Sequence, residues 1–70
     1  MEATVKNKYI GKQVRLYPGD TYYKYAIITD LDDLGWTFKI TKSSERNMDN
    51  WKVGQSYFIN HSKSVVFEFI

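Results

Sequence analysis

The side chains that could do chemistry in this chain are few. There is one histidine and no cysteine, and neither a GxxxxGK[ST] nor a GxGxxG phosphate loop occurs. His61 stands beside Ser62 and Ser64, the residue types of a base and a nucleophile. Neighbouring residues of a strand or tight turn point apart, however, and a triad needs its base oriented by a buried third group. His61 therefore reads as a solvated turn residue. The expectation is a protein that is not an enzyme and has no catalytic residue.

Asp30, Asp32 and Gly35 fall on the first, third and sixth positions of a calcium-binding loop. The pattern then breaks, because Leu34 holds the fifth position and Thr41 the twelfth, where the loop needs an oxygen ligand and a bidentate glutamate. The flanking segments also read as strands rather than helices. These carboxylates are better suited to hydrogen-bonding their own turn. No metal site and no cofactor are expected.

Tyr22-Tyr23-Lys24-Tyr25 is the segment with the strongest suggestion of binding. Successive strand residues alternate faces, so these tyrosines cannot all enter one core and at least one ring must reach the surface. With Arg15 and Tyr17 outward on one strand and Lys39 outward on another, a basic and aromatic sheet face would result. The binding candidates are thus Arg15, Tyr17, Tyr22, Tyr23, Lys24, Tyr25 and Lys39. Such a face can stack unpaired bases while its cations follow the phosphates. Tyrosine also tolerates half-burial, so the cluster could equally seal the end of a small core. Trp36 and Trp51 read as core, and Lys6, Lys8 and Lys12 as a solvated edge that discourages strand pairing.

The elements that must position these residues are short and mostly β. Tyr17-Pro18-Gly19-Asp20 has the chemistry of a type II turn, with Pro where φ is fixed and Gly where φ is positive. Asp32-Asp33-Leu34-Gly35 and His61-Ser62-Lys63-Ser64 read as two further turns. Between them lie stretches of period two, clearest in Trp36 to Thr41, where Trp36, Phe38 and Ile40 share a face. Val14 and Leu16 point inward in Gln13 to Tyr17, and Val65, Phe67 and Phe69 point together in Val65 to Ile70. Tyr57 to Asn60 reads as a strand. So does Thr4 to Ile10, which Gly11 would join to the next one as a long, bent first strand. Tyr22 to Leu31 is partly apolar in both phases, as in a strand covered on both sides or switching faces at a bulge. The only helical candidate is Ser44 to Asn50, with Ser43 or Ser44 as its cap. This order predicts an all-β fold, a five- to six-stranded Greek-key barrel, SH3-like or OB-like, with at most one short helical turn near residues 44–50.

Seventy residues allow a single domain spanning 1–70. A chain of this length buries only ~60% of the surface it exposes when unfolded. Without disulfides or zinc, its stability must come from its twelve aromatic residues or from association. The net charge of +2 is too small to imply nucleic acid by itself. The cations are nevertheless uneven: residues 1–24 carry +3 and residues 25–50 carry −2. No apolar run approaches the ~20 residues of a membrane span, and the N-terminus lacks a signal-peptide core, so a cytoplasmic protein without a membrane partner is expected. The function expected from these features is a standalone binding module that recognises a protein partner, in an accessory or inhibitory role, through a sheet face or edge. Single-stranded nucleic acid is the alternative partner. A homo-oligomer is also expected, because Val65 to Ile70 is apolar on both faces and one sheet surface cannot hide both.

Overall fold

The computed structural model describes residues 7–44, 46 and 51–70. Five strands, β1 (Gln13–Leu16), β2 (Lys24–Leu31), β3 (Gly35–Ser43), β4 (Ser56–Asn60) and β5 (Phe67–Phe69), form one antiparallel sheet. The spatial order is β4-β3-β2-β1-β5, so β1 to β4 run as a meander and the chain then returns to lay β5 against β1.

Turn chemistry fixes the connections. The Asp20 N–H donates to the Tyr17 carbonyl at 3.1 Å across Pro18 and Gly19, and Gly19 takes the positive φ of 102° that this turn requires. In the β2–β3 hairpin the Asp32 carboxylate accepts the amides of Leu34 at 2.8 Å and Gly35 at 3.0 Å, an Asx turn. Gly35 is needed for a second reason. A Cβ there would strike the Ile59 carbonyl and lie 2.8 Å from the Asn60 Cα, so the absence of a side chain lets β3 and β4 approach.

Of the two readings of the β2 segment, covered on both sides or switching faces at a bulge, the switch is the one that occurs. Lys24, Ala26 and Ile28 point inward; an extra residue, Thr29, then shifts the register between Ile28 and Asp30, which turns Leu31 inward as well. On β3, Thr41 is the extra residue, between the pairs Tyr25 with Lys42 and Ala26 with Ile40. The core between the curled walls consists of Val14, Leu16, Ala26, Ile28, Phe38, Ile40 and Ile59. Trp36, Trp51, Tyr9 and Phe67 are half-buried against it, the core role expected of both tryptophans. Curling is visible in the rings. β3 and β5 lie three strand positions apart, about 14 Å in a flat sheet. Phe38 and Phe67 on those strands nevertheless pack edge to face with centroids 5.7 Å apart. Among the described residues the sheet is wrapped but not closed: β4 and β5 are its two edges.

One strand expectation fails. Asn7 to Tyr9 is a helical turn rather than part of a long first strand, while Thr4 to Lys6 lie outside the described residues. Gly11, at φ 86°, ends that turn, and its N–H donates to the Ile28 carbonyl at 2.8 Å, so the ladder with β2 begins only there. The turn sends Tyr9 over the end of the sheet, edge-on to Trp36 and stacked on Phe69. The helical turn expected near residues 44–50 lies largely outside the described residues. At its start the Ser44 hydroxyl accepts the Arg46 amide at 3.3 Å, the bond an N-cap makes.

Candidate functional site

Strand pairing brings part of the expected surface together. On the outer sheet face Glu68 of β5 lies opposite Arg15 of β1, Arg15 opposite Tyr25 of β2, and Tyr25 opposite Lys42 of β3. The next row runs from Gln13 through Ile27 and Lys39 to Ser56. Tyr23 precedes β2 and leans on Tyr25, with ring centroids 5.7 Å apart and planes tilted by 43°. The Lys42 ammonium sits 5.7 Å from the centroid of Tyr23. A shallow groove of about 460 Å³ crosses this face between Gln13, Tyr25, Thr41, Lys42 and Ile70. Arg15, Tyr23, Tyr25 and Lys39 therefore share one surface, as their strand phases imply.

Lys24 does not belong to it. Only 3% of its surface is exposed, because its phase in β2 is that of Ala26 and Ile28. Its ammonium donates to the Asp20 carboxylate at 2.9 Å and to the Tyr22 carbonyl at 3.4 Å, and lies 5.5 Å from the Tyr17 ring and 5.8 Å from the Trp51 ring. Tyr17 also leaves the outer face. At φ 49° the chain turns after β1, the Tyr17 N–H donates to the Val66 carbonyl at 2.7 Å, and the ring packs against Trp51. Tyr17 and Trp51 are the two non-glycine residues with positive φ among those described, and together they wall the lysine. Tyr22 stands exposed beside Asp20, Thr21 and Lys24 at the rim of this cage.

Sequence reasoning missed two residues of the outer face. Lys42 reaches it because the Thr41 bulge turns it to the side of Tyr25, a shift that period two does not foresee. Phe58, opposite Thr37 on β4, is 52% exposed, and alternation with buried Ile59 would have identified it. A second cavity of about 550 Å³ lies around the corner of β1 and β5, with Lys8, Tyr9, Lys12 and Phe69 in its walls.

The other candidate chemistry sits in hairpins. The His61 imidazole, through Nε2–H, donates to the Asp32 carbonyl at 2.9 Å and packs edge-on to Trp36, tying the turn after β4 to the β2–β3 turn. The Asn60 side-chain carbonyl accepts the Ser62 amide at 2.8 Å. No group of three metal-ligating side chains occurs among the described residues, and no helix among them is long and apolar enough to cross a membrane. No protein-family model, curated protein or solved structure matches this chain.

Proposed function

We propose that the chain is a non-catalytic binding module that receives a protein partner on the outer face of an open, SH3-like barrel. The barrel reading is supported by the strand order, which returns β5 to β1, and by the curl that brings Phe67 onto Phe38. The observation that carries the function is the outer row Glu68, Arg15, Tyr25 and Lys42, with Tyr23 against it. Tyrosine and arginine are the side chains that anchor protein interfaces, since each offers apolar area and a directed polar group with little rotamer loss. An acidic group within the row, and the exposed Phe58 and Ile70 near it, suit a protein of mixed charge better than a polyphosphate. The non-catalytic part is supported by the engagement of His61 in its hairpin.

The paired rings of Tyr23 and Tyr25 under Lys42 favour a second reading, single-stranded nucleic acid. One pair of measurements separates the two. Capture of partners from cell extract by the wild-type protein and by Tyr25→Ala and Arg15→Ala should show a partner lost in both variants. Titration with short single-stranded DNA and RNA at two salt concentrations should show no quenching of intrinsic fluorescence. Quenching that weakens steeply with salt would transfer the face to nucleic acid, and a partner set unaffected by both substitutions would remove the face from consideration.

A further inference from the structure

Among the described residues β4 is paired on one side only, by β3. The His61 N–H donates to the Leu34 carbonyl at 2.9 Å and the Ile40 N–H to the Gln55 carbonyl at 3.0 Å. These bonds set the phase of the antiparallel ladder: Trp36 with Ile59 and Phe38 with Tyr57 are the hydrogen-bonded pairs. The backbone groups of Ser56 and Phe58 and the Asn60 N–H therefore point away from β3, to the free edge, while the Asn60 carbonyl accepts the Lys63 N–H at 2.9 Å. Proteins commonly guard such an edge with proline, lysine or a bulge. None of these occurs between Ser56 and Asn60, and Phe58, in the middle, is exposed.

We propose that this edge is an interface between two copies of the chain, β4 pairing antiparallel with β4 of the second copy about a two-fold axis at Phe58. The register is self-complementary. Phe58 exchanges two backbone hydrogen bonds with Phe58 of the second copy, and the Asn60 N–H reaches the Ser56 carbonyl across the axis on each side. The strand carries no charge, so this pairing sets no like charges opposite one another. The other edge lacks that property. On β5, bonds from the Tyr17 N–H to the Val66 carbonyl and from the Ile70 N–H to the Gln13 carbonyl direct the backbone groups of Phe67 and Phe69 to the free side. A two-fold pairing that uses both would set Glu68 against Glu68 of the second copy. Charge, more than apolar area, selects β4.

The two-fold axis of an antiparallel pair is normal to the sheet, so the two outer faces lie on the same side of a continuous ten-stranded sheet and the two Phe58 rings meet on it. This rests on the β4 backbone and not on the partner proposed for the outer face. Five residues make a small interface, so association is weak and concentration-dependent.

Sedimentation equilibrium over about a hundredfold concentration range tests it, with amide hydrogen exchange at both ends of that range. The expected mass rises from monomer toward dimer, and protection of the Phe58 amide rises with it while that of Tyr57 stays constant. Phe58→Lys removes the ring pair and opposes two cations, which should raise the dissociation constant about tenfold. Glu68→Lys, on the other edge, should leave it unchanged. Were Phe58→Lys to lose its fold, the exchange of the wild-type amides decides alone. A monomer at every concentration overturns the proposal, as does a dimer whose Phe58 amide exchanges independently of concentration or one undiminished in folded Phe58→Lys.

Discussion

A buried ammonium has to be held, and Lys24 is held from four directions: a carboxylate, a carbonyl and two aromatic faces. Each cation–π contact contributes about 0.5–2 kcal/mol, more as water is excluded. The ion pair adds less than its 2.9 Å length suggests, since the Asp20 side chain is 56% exposed and screened. Lys24→Met keeps the stem and removes the charge, and should lower stability by about 1–2 kcal/mol, whereas Lys24→Ala also empties the space and should cost about 3 kcal/mol. Urea unfolding curves distinguish the two. A methionine variant as stable as the wild type would show that the ammonium contributes nothing and that the lysine matters only as a hydrocarbon. The sequence placed Lys24 in phase with Ala26 and Ile28 but gave no sign of its cage. The walls come from residues 17 and 51, and their positive φ is carried by aromatic residues and not by the glycine or asparagine that would announce it.

At the scale of elements, the turns were legible because each uses side-chain chemistry local to it: Pro18-Gly19, and the Asp32 carboxylate capping two amides. Strand phase was legible wherever alternation was clean, as in β1 and β3 up to Ile40. It failed where a tertiary contact decided the outcome. Asn7 to Tyr9 has no strong local preference, and a helical turn there puts the Tyr9 ring onto Trp36 and Phe69, which an extended strand entering β1 would not do. Gly35 lies between these cases. Its place in a turn was apparent, but the requirement for no Cβ arises from β4, more than twenty residues away. Gly35→Ala should accordingly cost about 2–3 kcal/mol, since backbone must shift to admit it. Gly54→Ala meets open space and should cost about 1 kcal/mol, from its φ of 87° alone. Thermal melts that ranked the two in the opposite order would mean that β3 and β4 separate more easily than their packing implies.

For the molecule as a whole, the decisive problem is closing the inner face of an unclosed sheet around so small a core. Hydrogen bonds end at β4 and β5, so side chains must bridge the gap, and Phe67 is the residue that does so. Its ring meets Trp36 at 5.2 Å, Phe38 at 5.7 Å and Phe69 at 5.8 Å, joining the last strand to the third. Phe69, two residues on and nominally in the same phase, is 56% exposed and rests only on Tyr9 and Phe67 among the rings described. A domain of this length has a total stability of about 4–10 kcal/mol. Truncating the half-buried Phe67 to alanine should remove about 2–3 kcal/mol of it, while Phe69→Ala should cost about 1 kcal/mol or less. Near-UV circular dichroism reads the same event independently. The tryptophan signal should weaken in Phe67→Ala, because Trp36 loses one of the rings it packs against, and persist in Phe69→Ala. Equal losses of stability in the two variants would mean that the sheet holds its curl through its bulges and turns without the aromatic bridge. The wrapped form would then be a property of the backbone rather than of the rings that fill it.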